Sequence, residues 1–173
     1  MELSPVALLT FKNTVERILH VPGNYAGGIL EMTVVIDGAL EREKVSTYVP
    51  ELLGSLKRHS EVFRNVRLNV VEWKSDEQIM TEVRPMSVVM CQSFFSEYEK
   101  CDAKKHLEKL VAYLKLYHAR AKLIILVTDG RYLVECEEEV ELAMRPFLDK
   151  KLMQIVLDKD GGMDIRYRFR RTV

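Results

Sequence analysis

Two Asp-Gly pairs, each at the end of an apolar run, are the best indication of a functional site in this 173-residue sequence. Asp37-Gly38 follows the mainly apolar residues 32–36, and Asp129-Gly130 follows the apolar residues 123–127 and Thr128. Such a stretch is typical of a strand buried on both faces of a parallel sheet, and these sheets bind ligands where their strands end. Two carboxylates at that edge predict a metal, catalytic or binding site. The structural alternative is that each Asp accepts backbone hydrogen bonds within its turn.

Hydrophobic periodicity places these turns in a regular alternation of strands and helices. The predicted elements are helix 4–20, strand 30–36, helix 42–58, strand 66–73, its hairpin partner 77–83, helix 101–118, strand 122–128, helix 134–144, strand 151–157 and strand 163–171. Alternating strands and helices predict right-handed crossovers and a mainly parallel sheet. The expected fold class is therefore α/β, a three-layer Rossmann-like sandwich with helices on both faces and an antiparallel hairpin at one edge.

Several local details follow from the same patterns. Pro50 is expected to bend the second helix or to reset its start, because proline removes a backbone hydrogen bond. Asp102 is predicted to cap the helix that follows it, and Tyr117 to lie on the buried face of that helix. Cys136 is predicted to point inward from the next helix. Residues 86–92 fit either a continuation of the hairpin strand or a buried connection.

The composition excludes several classes of protein. Lys and Arg together number 26, as do Asp and Glu, so no excess of positive charge is available to neutralise a nucleic-acid backbone. The three irregularly spaced cysteines fit free thiols better than a disulfide framework or a zinc site. No segment fits a membrane span or a signal peptide. We therefore expect a cytoplasmic protein of one domain, in which an N-terminal helix within residues 1–28 packs on an α/β unit formed by residues 29–173.

The order of elements and three short segments resemble the von Willebrand factor A-type domain. Residues 34–37 are similar to the first strand of the family, residues 69–76 to its second strand and hairpin turn, and residues 123–130 to its fourth strand ending in Thr-Asp-Gly. The resemblance covers residues 30–157. It implies the sandwich fold of that family, with residues 4–20 in the place of the final helix that the family usually has.

Members of this family often bind Mg²⁺ at a metal-ion-dependent adhesion site. Its signature is Asp-x-Ser-x-Ser after the first strand, a Thr from a later loop and an Asp after the fourth strand. The resemblance implies that Asp37 and Asp129 match the two Asp positions, but Ala39 and Glu41 stand where the two Ser residues belong. No Thr stands in residues 93–100. Because Mg²⁺ demands near-octahedral oxygen coordination, the resemblance implies a degenerate site with no bound cofactor.

No motif for an enzyme is complete in the sequence. An aspartyl-phosphate hydrolase needs a second Asp two residues after the first, where Ala39 stands. A nucleophile elbow and a phosphate-binding loop are also missing. The four histidines lack the spacing of metal ligands and are expected to be solvated or to lie at helix ends. A Mg²⁺-assisted hydrolase that uses Asp37, Glu41 and Asp129 is kept as an alternative function.

Two surfaces are candidates for binding. The first, which we call the rim, comprises Asp37, Gly38, Glu41, Ser93, Phe94, Phe95, Asp129, Gly130 and Arg131. The second, the basic stripe, comprises Arg166, Arg168 and Arg170. The two phenylalanines and Tyr98 form either an exposed apolar patch or part of the core. The basic stripe is ordinary for an edge strand and is alternatively a weak nucleic-acid-binding surface.

The leading prediction is a non-catalytic intracellular interaction module. It binds a protein partner at the rim, where the metal site is incomplete. Nucleic acid is the less favoured partner, and no association with a membrane is expected. The acidic surface of residues 135–141 is a possible complement to the basic stripe, although charge on a helix face is usually only solvated.

Overall fold

A computed structural model of the chain describes residues 3–19, 30–59, 66–147, 152–157 and 162–171. The sequence also predicts turns at residues 22–24 and 27–28, which lie outside these ranges, and a tight turn at residues 159–162, of which only Gly162 lies within them. The elements are α1 (Pro5–Leu19), β1 (Leu30–Asp37), α2 (Arg42–His59), β2 (Val66–Trp73), β3 (Ile79–Pro85), α3 (Met86–Val89), α4 (Leu107–Tyr117), β4 (Leu123–Thr128), α5 (Glu137–Met144), β5 (Leu152–Leu157) and β6 (Met163–Arg166), with a 3-10 helix at Gln92–Phe95. The predicted strands and long helices are all present, although some begin or end elsewhere.

The six strands form one sheet in the order β3-β2-β1-β4-β5-β6. The four inner strands are parallel, and β3 and β6 are the antiparallel edges. In register, Asp37 lies opposite Trp73, and Ile36 lies opposite Val127. The turns after β1 and β4 therefore lie next to each other at the carboxyl ends of the parallel strands, as predicted. The α/β three-layer sandwich, with the β2–β3 hairpin at one edge, is confirmed.

Successive residues of each inner strand enter two different cores, because side chains alternate between the faces of a sheet. Met32 and Ile125 join the core under α1 and α2. Val35 and Leu126 join the core under α4 and α5. All six residues of β4 are buried, because this central strand is covered by helices on both faces. β2 is also almost wholly buried.

Helix α1 begins as predicted and packs beside α2 on one face of the sheet. The Oγ atom of Ser4 accepts a hydrogen bond from the backbone N–H of Ala7 at 3.1 Å, which satisfies one free donor of the first turn. Phe11 and Val15 are fully buried against the core under α2. Helix α2 continues through Pro50 and does not restart there.

The predicted start of α4 was wrong, and the reason lies at the edge of the sheet. Residues 101–105 are not helical, because they cross the carboxyl ends of the strands and form hydrogen bonds with the connections that follow β1 and β4. The N–H of Cys101 donates to the carbonyl oxygen of Gly38 at 2.7 Å, and the N–H of Leu133 donates to that of Lys105 at 2.9 Å. The helix begins only at Leu107. Asp102 is consequently an exposed loop residue and not the cap.

Two further details differ from the sequence prediction, and one pair of alternatives is resolved. Tyr117, in the last turn of α4, is 64% exposed, because its ring stacks at an angle on Tyr113 and not on the sheet. Cys136 is exposed because it precedes α5, which starts at Glu137. Residues 86–92 do not continue the hairpin strand; they form a connection that begins with α3, in which Met86 and Val89 are buried.

Candidate functional site

Asp37 lies near the middle of the row formed by the carboxyl ends of the parallel strands. Its strand, β1, is held between β2 and β4, and the side chain is fully buried. The following turn is tight, because the N–H of Gly38 donates to the carbonyl oxygen of Trp73 at 2.8 Å. A Cβ atom on Gly38 would stand 3.0 Å from the Cα of Lys74 and from the same carbonyl oxygen. Glycine is therefore required here by the close approach of two backbones.

Both carboxylate oxygens of Asp37 are already engaged by the chain itself. Oδ1 accepts a hydrogen bond from the N–H of Ala39 at 2.9 Å and lies 2.5 Å from the Nζ atom of Lys105. Oδ2 accepts a hydrogen bond from the hydroxyl of Thr128 at 2.5 Å. A buried carboxylate must be paired and hydrogen-bonded, and these contacts meet that requirement without a metal ion.

Lys105 is the unexpected member of this cluster. Its side chain is only 4% exposed, and its ammonium group lies 5.3 Å from the ring centroid of Trp73 as well as against Asp37. An ammonium group over the face of an indole ring gains further electrostatic attraction. Lys105 thus provides a positive charge at the carboxylate that the sequence offered as the first candidate metal ligand.

Aromatic side chains enclose the pair. The rings of Trp73 and Tyr132 lie 5.4 Å apart, and the Tyr132 hydroxyl donates to the Oε1 atom of Gln154 at 2.5 Å. The hydroxyl of Tyr98 lies 3.1 Å from the carbonyl oxygen of Asp37. Burial, together with the negative charge of Asp37, raises the pKa of both tyrosines. These phenols therefore remain neutral hydrogen-bond donors around the pair.

Asp129, the second predicted carboxylate, stands in a different environment. It is half-buried, and its Oδ1 atom accepts a hydrogen bond from the N–H of Arg131 at 3.0 Å. Gly130 has φ 78°, a left-handed conformation that favours glycine, and its N–H donates to the hydroxyl of Thr128 at 2.9 Å. The carboxylate of Asp129 therefore helps to shape its own turn, as the structural alternative predicted.

Glu41, the third candidate ligand, is exposed and pairs with Lys100 at 2.8 Å. The hydrogen bond from Lys100 lowers the pKa of Glu41, and the same bond raises the pKa of Lys100. Lys100 also lies 3.6 Å from Asp102. Across the described ranges, no group of three or more acidic, histidine or cysteine side chains is arranged to hold a metal ion.

The aromatic part of the rim contributes mostly to the core. Phe95 and Tyr98 are buried under α2, Phe94 is half-buried against Phe95 at 4.9 Å between ring centroids, and Ser93 is exposed. What stays open is a pocket of about 320 Å³ beside the Asp37 turn, which we call the rim pocket. It is lined by Ala39, Lys100, Asp102, Ala103, Lys104, Lys105, Asp129, Arg131, Tyr132 and Leu133.

The basic stripe is not a continuous surface. Strand β6 ends at Arg166, which pairs with Asp164 at 3.0 Å, and Arg168 pairs with Glu141 of α5 at 3.0 Å. Arg170 is exposed, and its backbone N–H donates to Gln154 at 2.9 Å. Because β6 stops at Arg166, the three arginines do not lie along one strand, as the predicted strand 163–171 would require. Phe169 turns into the core under α4 and α5.

His106 and His118 both have specific partners. The Nδ1 atom of His106 lies 2.7 Å from Asp76, in the β2–β3 turn, and the backbone N–H of His106 donates to the same carboxylate at 2.6 Å. His118 is buried, with its Nε2 atom 3.0 Å from the hydroxyl of Thr81, and burial lowers its pKa. His118 directly follows α4, so it lies at a helix end, which is one of the two expected positions, although it is not solvated. The His106 pair ties the segment that carries Lys105 to the hairpin.

Sequence reasoning missed the importance of Lys104 and Lys105 in this site. Lys104 and Lys105 were assigned to the first turn of a helix, where lysines are ordinarily solvated. Thr128 was noticed only as part of the Thr-Asp-Gly segment. The one available signal was that Asp37, if buried in a sheet, needs a compensating charge from somewhere in the chain.

The protein is a three-layer α/β sandwich. At the carboxyl ends of its parallel strands, the carboxylate of Asp37 is paired with a lysine of the same chain. Comparison with protein-family models and with curated proteins found no match. Within the described residues, no helix combines the length and the apolar character that a membrane crossing requires.

Proposed function

We propose that this chain is a non-catalytic, intracellular interaction module of the von Willebrand factor A type, which binds a protein partner at the rim of its sheet. The observation that carries the proposal is the ion pair between Asp37 and Lys105. It occupies the carboxylate at the site where a metal-dependent domain of this type would need a free ligand, while an open pocket remains beside it.

The proposal also draws on the chemistry that is missing around the rim pocket. Lys105 is buried in an ion pair, and both nearby tyrosines have raised pKa values. None of the three is therefore suited to serve as a general base near neutral pH.

Blocking the rim pocket tests this function. Ala103 is exposed and lines the pocket, so an Ala103→Trp substitution should fill it without changing any charge. Ala112, exposed on α4 and outside the pocket, provides the matched control Ala112→Trp. Proteins captured from an extract of the source organism should include a species retained by the parent and by Ala112→Trp but lost with Ala103→Trp. Equal capture by all three chains would contradict the proposal.

The alternative function, a Mg²⁺-assisted hydrolase that uses Asp37, Glu41 and Asp129, has a direct test in calorimetry. Titration of the chain with Mg²⁺ and with Mn²⁺ should give no binding heat, because Asp37 is already paired and Glu41 is held by Lys100. Heat that disappears on Asp129→Ala substitution would favour the hydrolase. Basic-stripe binding of nucleic acid would instead give salt-sensitive retention on a polyanion column, lost on replacement of the three arginines.

A further inference from the structure

We propose that β3 pairs in antiparallel fashion with β3 of a second copy of this chain, around a twofold axis at Val83. The two six-stranded sheets would then form one continuous sheet. The pairing uses the lateral side of the sheet and not the rim, so this dimer goes beyond the proposed function and does not depend on it.

β3 is the longer of the two edge strands. It comprises Ile79–Pro85, whereas β6 comprises only Met163–Arg166. In the sheet that the described residues form, β3 has β2 on one side and no strand on the other side, which we call the free edge. Residues 80–85 are all exposed. Such a strand presents backbone groups with which another strand can pair.

The hairpin geometry indicates which backbone groups point to the free edge. The N–H of Lys74 donates to the carbonyl oxygen of Gln78 at 3.0 Å, so these residues are a hydrogen-bonded pair. Hydrogen-bonded and non-hydrogen-bonded pairs alternate along an antiparallel ladder. The even-numbered residues of 80–84 therefore bond to β2, and the odd-numbered residues of 79–85 direct their backbone groups to the free edge.

Two local contacts agree with this alternation. Pro85, which has no N–H, belongs to the set that does not bond to β2, so the ladder with β2 loses no hydrogen bond at this position. The carbonyl oxygen of Val83 accepts a hydrogen bond from the guanidinium group of Arg84 at 3.0 Å, as an oxygen at the free edge can. The backbone groups of Thr81 and Val83 are thus placed to pair with a second strand.

Two antiparallel copies of β3 could pair in several registers, and their charges favour one. Glu82 and Arg84 form an ion pair, and each side chain is about half exposed. With the axis at Val83, Glu82 stands opposite Arg84 of the second copy, and Arg84 stands opposite Glu82 of the second copy. With the axis at Glu82 or at Arg84, two like charges would face each other, which destabilises a strand pair. With the axis at Thr81, Glu82 would face Met80 of the second copy and gain no ion pair.

The charges of this register balance without a third group. Val70 and Leu68, which stand opposite Glu82 and Arg84 in β2, are buried apolar residues. Each carboxylate would therefore lie between the arginine of its own chain and that of the second copy, in a group of alternating charges. The chain itself supplies the complementary surface, as a twofold interface requires.

The other face of the strand pair offers an apolar contact. Side chains alternate between the faces of a sheet, so Val83 shares a face with Thr81, whose hydroxyl lies 2.5 Å from that of Tyr113 in α4. Val83 is 41% exposed and would lie opposite Val83 of the second copy. Tyr117, which is also exposed, lies against Tyr113 on this face of the sheet. Burial of these side chains adds to the attraction between the charges.

The dimer should be weak and closed. The pairing extends over residues 81–85 only, because α3 begins at Met86. An interface this short lies at the small end of those that proteins use. Both copies contribute the same edge, so the contact closes a dimer and does not continue into a fibre.

Charge reversal tests the pairing and its register together. Sedimentation equilibrium of the full chain at concentrations up to about 1 mM should show a dimer of the parent. Glu82→Arg leaves only cations on this part of the strand, and Arg84→Glu leaves only carboxylates. Each variant alone should dimerise roughly tenfold more weakly, because like charges then face each other. An equimolar mixture of the two variants should regain the affinity of the parent, since every facing pair is again of opposite charge.

The other edge strand provides a matched control. Asp164 and Arg166 of β6 are also two residues apart, and they form an ion pair at 3.0 Å. Asp164→Arg and Arg166→Asp should leave the association unchanged. Circular dichroism of every variant checks that the fold is retained.

Four results would overturn the inference. The first is the absence of a parent dimer up to about 1 mM. The second is a mixture of Glu82→Arg and Arg84→Glu that associates no better than either variant alone. The third is weakening by Glu82→Arg without weakening by Arg84→Glu, which would reject the register with the axis at Val83. The fourth is equal weakening by the β6 variants, which would show that the charges of β3 have no specific role.

Discussion

The two Asp-Gly turns of this protein have nearly the same local sequence and opposite roles. Asp37 is fully buried and paired with a lysine, whereas Asp129 is half-buried and bonds to the backbone of its own turn. Both turns leave central parallel strands at the same edge of the sheet. The difference comes from what crosses that edge, because residues 101–105 lie against the first turn and carry Lys105 onto it.

The comparison shows how a carboxylate at the end of a strand can lose its availability to a ligand. A buried carboxylate requires charge compensation, which a bound cation or a lysine can provide. In this chain the lysine is Lys105, which belongs to the extended residues 101–105 that cross the carboxyl ends of the strands. The carboxylate of Asp37 is therefore not open to a ligand, whereas the neighbouring rim pocket is.

The largest effect should come from removing Lys105. Lys105→Met would leave the carboxylate of Asp37 buried without its partner, and we expect a loss of about 3–5 kcal/mol in the free energy of unfolding, measured with urea. Asp129→Asn should cost less than about 1 kcal/mol, because Asn retains an acceptor for the N–H of Arg131. The double variant Asp37→Asn/Lys105→Met should recover part of the loss. If Lys105→Met and Asp129→Asn cost the same, the contrast between the two turns is wrong.

The two glycines should respond differently to larger side chains. Gly38→Ala should cost about 1–3 kcal/mol, because its Cβ atom would meet backbone atoms of Trp73 and Lys74 that cannot easily move. Gly130→Ala should cost about 1–2 kcal/mol, because of its left-handed conformation.

Asparagine separates these two causes, because it adopts left-handed conformations more readily than alanine. Gly130→Asn should be more stable than Gly130→Ala, whereas Gly38→Asn should be less stable than Gly38→Ala. Thermal unfolding of the four variants measures this. The same order at both positions would show that one cause acts at both turns.

The smallest effect concerns the attachment of the segment that carries Lys105, and it should depend on pH. The hydrogen bond from His106 to Asp76 raises the pKa of His106. The stabilisation of the fold by protonated His106 is therefore full below the ordinary histidine pKa of about 6.5, and it is lost as the pH rises through the raised value. For Asp76, burial raises the pKa, but the hydrogen bonds from His106 outweigh it and the net pKa is lowered. The stabilisation of the fold by the ionised carboxylate of Asp76 is present above about pH 4 and is lost as the pH falls through the lowered pKa.

The pair should therefore stabilise the fold most between about pH 4 and pH 6.5. Glu135, whose carboxylate lies 3.6 Å from the Nε2 atom of His106, adds to the attraction for the protonated ring. We expect His106→Gln to cost about 1 kcal/mol within that window and less at higher pH, as measured by urea unfolding at a series of pH values. Asp76→Asn should show the same dependence. A cost that does not change with pH would mean that the charge of the histidine is irrelevant.

The sequence by itself was sufficient for the fold class, the strands and the meeting of the two Asp-Gly turns. Apolar stretches such as residues 123–127 report burial on both faces of a sheet, and helical periodicity reports the helices, since both signals are local. The start of α4 was not predictable in this way. The extended path of residues 101–105 depends on hydrogen bonds to Gly38 and Leu133, which are remote in sequence.

Only the tertiary structure decided the chemistry of the site. Nothing in the local sequence distinguishes Lys105, buried against Asp37, from Lys104, which is exposed beside it. The difference arises because a charge is buried only where the fold brings an opposite charge to it. The sequence determined that two carboxylates stand at one edge of a parallel sheet. The folded chain determined that one of them has its own cation, whereas the other accepts a hydrogen bond within its own turn.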